Sequence, residues 1–147
     1  MGGHPWFYFV PYQSDISGAL QELRRREFEA GRYNPVMWIP EFPVDSDSPA
    51  PGAGHASIEE AMEDADADGT RSILDMVRIS DTPDYAAVTP LPNEELIDLF
   101  GTDRPTREMI ENNDDLWERL ERGQGVCVIA YQDNVPTEIY FAGYSYD

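Results

Sequence analysis

The chain has 147 residues, 41% hydrophobic and 12% aromatic, enough for one ordinary domain with a sizeable core and unlike a wholly disordered protein. Its 29 acidic residues against 10 basic ones, every one an arginine, give a net charge of −19; such a surface repels nucleic acid and anionic lipid and attracts cations or basic proteins. The longest apolar run, Trp6–Val10, falls far short of the ~20 residues that span a bilayer, and the lone Cys127 with no basic-then-apolar leader leads us to expect a soluble protein of the reducing cytoplasm.

The charge is uneven. Residues 1–40 set Asp15, Glu22, Glu27 and Glu29 against Arg24, Arg25, Arg26 and Arg32, so the whole excess falls on residues 41–147. His4–Tyr12 is aromatic, rich in strand-favouring residues and closed by Pro11, which predicts a strand with Trp6, Tyr8, Val10 and Tyr12 on one face and Phe7 and Phe9 on the other. Ser14 or Asp15 can cap a helix that runs to Ala30 and stops at Gly31. Ile16, Ala19, Leu20, Leu23 and Ala30 share one side of it, flanked by Arg24, Arg25 and Arg26.

A short extended piece is expected at Val36–Ile39, then a mobile, proline- and glycine-rich loop at about 43–56. Ser57 and Glu60 form a capping box, placing a helix from Ile58 to about Ala65. Arg71–Ile79 is ambiguous, although alternation of Ile73, Val77 and Ile79 against Leu74 and Met76 fits a strand. Residues 81–92 read as a connection with an extended stretch at Tyr85–Thr89, and Asn93 caps a short helix that ends before Gly101. Met109, Ile110, Leu116, Trp117 and Leu120 have helical spacing, so one helix is expected from Thr106 to Arg122. Val126–Tyr131 and Thr137–Tyr146 are strands, with the turn residues of a hairpin between them. The order predicts a single α+β domain whose largely antiparallel sheet, built on the N-terminal strand and the C-terminal hairpin, is backed by three to four helices.

Residues 64–75, DADADGTRSILD, resemble the calcium-binding loop of EF-hands. Asp64, Asp66 and Asp68 alternate, Gly69 supplies the sharp turn, and Thr70, Ser72 and Asp75 complete a candidate oxygen set for Ca2+. The closing residue is Asp where EF-hands carry Glu, Arg71 stands where they place an aliphatic residue, and no second loop pairs with it. The other reading of the segment is a helix end, an Asp-Gly turn and a strand start.

If the outer strands share a sheet, Trp6, Tyr8, Tyr12, Tyr140, Tyr144 and Tyr146 would collect on one face as a ligand or partner surface, with Phe7, Phe9, Ile139 and Phe141 behind them. Either face could also be core. Arg24, Arg25, Arg26 and Arg32 form an anion-binding cluster or pair internally with the surplus carboxylates. His55 reads as solvent-exposed and Cys127 as a buried small hydrophobe. With no paired acid and base at telling spacing, the sequence leans away from an enzyme. It favours a binding protein whose acidic surface engages a basic protein partner, and neither nucleic acid nor a membrane is expected to bind. A small enzyme or ligand-binding domain built on the aromatic face, and a weak divalent-cation binder built on 64–75, are the alternatives.

Overall fold

The computed structural model describes residues 3–45 and 47–146. Strand β1 (Pro5–Pro11) alternates as its sequence demands: Trp6, Tyr8 and Val10 are buried on one face, while Phe7 and Phe9 lie half-buried on the other. Helix α1 (Ile16–Ala30) is capped by Asp15, whose carboxylate accepts the Gly18 N–H at 2.9 Å. It ends at Gly31 in the left-handed conformation, with the Arg32 N–H bonding back to the Glu27 carbonyl at 3.1 Å. Its buried stripe of Ala19, Leu20 and Leu23 packs with Trp6, Tyr8 and Val10 in one core.

The sheet has five strands in the order β1-β5-β4-β3-β2, with β2 at Arg78–Ile79, β3 at Ala87–Pro90, β4 at Gln124–Gln132 and β5 at Val135–Tyr144. β1, β5 and β4 are antiparallel as expected, but β3 and β2 join parallel, so the sheet is mixed. The β4–β5 hairpin turns on Asp133 and Asn134, whose φ values of 53° and 64° are the left-handed pair that a two-residue turn needs. The Trp6 indole lies over Gly125 and Gly143 on the neighbouring strands, where an added methyl would come within 2.8 and 2.5 Å of the ring.

Helices cover both faces. On the face of α1 lie α2 (Ile58–Ala65) and the buried segment 70–76; on the other lie α3 (Asn93–Phe100), α4 (Arg107–Glu111) and α5 (Asp115–Glu118). Ser57 caps α2 by accepting the Glu60 N–H, as its capping box predicts. The described residues thus hold five α-helices rather than three to four, because the single helix expected from Thr106 to Arg122 is two. Asn113 causes the break. Its amide oxygen accepts the Leu116 N–H and its NH2 donates to the Leu99 carbonyl, so the side chain competes with the backbone mid-helix and satisfies an N–H of the first turn of α5.

Two other expectations change. Val36–Ile39 is not extended: the chain turns at 34–37, and Ile39–Glu41 is a short 3-10 turn. The ambiguous Arg71–Ile79 divides into a buried 3-10 turn at Ile73–Asp75 and the two-residue β2. The segment 43–56, of which residue 46 lies outside the described residues, is laid against the end of α1: Arg32 Nε donates to the Ser48 carbonyl, the Gly52 N–H to the Ala30 carbonyl and the Gly54 N–H to the Tyr33 hydroxyl. Among the described residues, no helix is long and apolar enough to cross a membrane.

Candidate functional site

Among the described residues β1 is an edge strand, hydrogen-bonded to β5 alone. Along it runs an open cleft of about 570 Å³. Phe7, Tyr8 and Phe9 line it in succession although their side chains alternate between faces, so the cleft follows the strand's free backbone edge. Its floor is aromatic. The Phe9 and Tyr140 rings stand 4.6 Å apart, and Phe7 meets Trp117 edge-on at 6.4 Å. α4 supplies one wall with Arg107 and Glu111; the segment after Val44 supplies the other with Asp45 and Asp47.

The electrostatics of the cleft are one-sided. Arg107 lies 4.1 Å over the Phe9 ring, and its charge is matched by Glu138 at 2.9 Å and Glu111 at 3.6 Å. Among the described residues, Asp45 and Asp47 therefore face the cleft with no lining cation that is not already paired. Burial, and next the Glu111 charge, push the Tyr140 hydroxyl upward, so it stays protonated. A groove of about 340 Å³ flanks the same edge on the α1 side, where Tyr12 meets Arg25, Arg26 and Glu29.

The aromatic residues singled out in the sequence do not share a face. The β1–β5 register pairs Tyr8 with Phe141 and Phe9 with Tyr140, so Trp6 and Tyr8 are buried beneath α1 while Tyr140 and Tyr144 lie on the opposite side. Both faces are core, and the sorting of Trp6 and Tyr8 with Tyr140 and Tyr144 is off by one residue of register. Tyr12 lies beyond the end of β1, and Tyr146 stacks on Tyr85 at 4.7 Å and donates to the Asp75 carbonyl.

Arg24, Arg26 and Arg32 are engaged inside the protein. Arg26 and Arg32 both pair with the buried carboxylate of Glu27, at 3.1 and 2.9 Å. Burial raises the Glu27 pKa even so, against the pull of Arg32 and Arg26. Arg24 donates to the Leu74 carbonyl and the Gln21 side chain, while Arg25 lines the second groove.

The calcium-like segment is divided by burial. Asp64, Asp66 and Asp68 are exposed, whereas Thr70, Ser72 and Asp75 are buried in the core. Asp75 turns inward, accepting from the Thr70 N–H at 2.8 Å and the Thr70 hydroxyl at 2.9 Å, and Thr70 in turn meets the Ser72 hydroxyl at 2.9 Å. Burial lifts the Asp75 pKa to about 6, against the hydrogen bonds from Thr70 and the Arg71 N–H. Among the described residues, no three His, Cys, Asp or Glu side chains gather where they could hold a metal ion.

Asp64 instead closes a chain of contacts. The Gly54 N–H donates to the Tyr33 hydroxyl, which lies 2.8 Å from His55 Nδ1, and His55 Nε2 lies 2.8 Å from the Asp64 carboxylate. In the neutral imidazole Tyr33 then donates to Nδ1 and the Nε2–H to Asp64, fastening the 43–56 segment to α2. His55 is thus a half-buried link rather than a solvated side chain. Cys127 is buried as expected, and burial pushes its thiol up to about 12, so it is no nucleophile at neutral pH.

Asp45, Asp47, Phe7, Phe9, Arg107, Glu111 and Trp117 were not singled out from the sequence as site residues. A signal existed: Pro5 and Pro11 both occupy odd positions of β1, and proline is tolerated in a strand where its missing N–H faces away from the sheet. In comparisons with known proteins, the chain matches no family model, no curated protein and no solved structure.

Proposed function

We propose that the protein is a non-enzymatic binding protein that engages a basic protein partner, and that the cleft along β1 is the acidic surface it uses. The observation that carries this reading is the combination in one open cleft of Asp45, Asp47 and Glu111 with an aromatic floor, the lining guanidinium of Arg107 being neutralised by Glu111 and Glu138. Aromatic anchors supply contact area, and unmatched carboxylates supply steering toward a cation-rich partner. The net charge of −19 extends that steering beyond the cleft.

The test measures affinity for an arginine-rich peptide at low and at physiological salt, comparing wild type with Asp45→Asn/Asp47→Asn and with a control, Asp103→Asn/Glu94→Gln, of equal charge change in exposed residues outside the cleft lining. Each cleft charge is worth about 0.5–1 kcal/mol, so the cleft variant should bind roughly 5–30-fold more weakly while the control changes little. Equal weakening by both variants would mean that the peptide reads the overall charge and not the cleft.

A further inference from the structure

We infer that the partner enters this cleft as an extended segment that pairs with the free edge of β1, its arginine or lysine side chains alternating with apolar ones. This rests on the basic-partner reading above and names the element that is recognised.

The hydrogen-bond register of β1 defines the edge. The Tyr12 N–H donates to the Thr137 carbonyl and the Ser145 N–H to the His4 carbonyl, both at 3.0 Å, at opposite ends of an unbroken antiparallel ladder. Even-numbered residues therefore bond inward to β5, and odd-numbered ones direct their N–H and C=O outward. Pro5 and Pro11 contribute carbonyls but no N–H, so the outward donors of the strand are Phe7 and Phe9. These same two residues line the cleft. An incoming strand finds two donors one dipeptide repeat apart, bracketed by prolines that fix where pairing begins and ends.

The two walls set its side-chain pattern. Val44 belongs to the core on the α1 face, and Asp45 and Asp47 follow it as a wall of the cleft. Phe7, Phe9, Trp117 and Tyr140 belong to the opposite core. Side chains of an added strand alternate between the same two sides. Every second residue would meet the Asp45 and Asp47 carboxylates, and the residues between would lie over the aromatic floor. A segment alternating cationic and apolar residues satisfies both walls; an acidic one would meet the Asp45 and Asp47 carboxylates.

The probe is a peptide of about eight residues alternating arginine and valine, added to the full chain labelled for amide detection. Controls are a block-sequence peptide of the same composition and two versions N-methylated at alternate amides, one in each register. We expect exchange at the Phe7 and Phe9 amides to slow about tenfold or more on binding, with the already paired Tyr8 amide unchanged. One N-methylated register should lose binding at least tenfold and the other should retain it. If all four peptides bind alike with Phe7 and Phe9 unprotected, strand addition is overturned while the basic-partner reading stands. If no cationic peptide binds even at low salt, both fall.

Discussion

Asp75 is a carboxylate that the fold prefers protonated, and the substitution Asp75→Asn should expose that preference. The residue is 1% exposed, and Thr70 serves one of its oxygens twice. Desolvation outweighs the hydrogen bonds from Thr70 and the Arg71 N–H and the Arg24 charge, lifting the pKa from an ordinary 3.8 to about 6. Because the folded-state value lies above the unfolded one, the protonated acid contributes its full stabilisation below about pH 4 and loses it as pH rises through 6. A shift of about two units corresponds to roughly 3 kcal/mol between those limits. The amide of the variant keeps an oxygen for the two Thr70 donors and has no charge to bury. Urea unfolding of both proteins from pH 4 to 7.5 isolates this site, since every other carboxylate titrates equally in the two. The variant should gain on wild type by roughly 3 kcal/mol across the range, most of it between pH 4.5 and 6.5, with unchanged m-values. Parallel stability curves would refute the reasoning and mean that the buried carboxylate is compensated.

Three further outcomes follow from the same structure. Gly143→Ala places a methyl 2.5 Å from both the Trp6 ring and the Gln124 carbonyl; because the carbonyl is backbone and cannot swing aside, chemical denaturation should report a loss of about 2–3 kcal/mol. Asn113→Ala removes both the bond to the Leu116 N–H and the tie to Leu99, which should cost about 1–2 kcal/mol and lower the thermal midpoint by several degrees. Calcium at about 1 mM should raise the midpoint of chelator-treated protein no more than magnesium does, since Asp75 faces Thr70 in the core while Asp64 is held by His55; a calcium-specific rise of ~5 °C or more, lost in Asp64→Ala, would instead make 64–75 a cation site.

What could be read from the sequence was what depends on near neighbours. The Asp15 and Ser57 caps, the Gly31 and Gly101 stops and the Asp133-Asn134 turn are each set by a few consecutive residues, and they place α1, α2, α3 and the hairpin close to where the sequence puts them. Pairing at a distance was not legible. The parallel β3 is four residues long and buried on both faces, so it carries no alternation to announce it. Nothing near Asn113 in the sequence marks it as a breaker of the helix expected from Thr106 to Arg122, because its partner Leu99 is supplied by another helix. The aromatic faces were missorted for the same reason, since side-chain alternation fixes which residues of one strand agree, and only the register fixes which of them meet Tyr140. At the candidate site the long loop drew attention through its prolines and glycines, but Asp45 and Asp47 become distinctive only once that loop is seen to border β1.

The features of β1 on which the proposed partner site rests would also disfavour pairing between copies of the protein. An unpaired edge is a template for pairing with another copy, and proteins blunt it with short strands, prolines and charge. Here Pro5 and Pro11 bound a short accessible stretch, while Asp45, Asp47 and Glu111 line its approaches. Two such edges brought together would oppose carboxylate to carboxylate at close range, where like charges cost most. A basic strand meets the opposite sign at those positions and the same pair of donors at Phe7 and Phe9. On the proposed reading the charge would select by exclusion as much as by attraction, and the bias would rest on residues 41–147, which carry the acidic excess, rather than on the balanced stretch that contains β1 and α1.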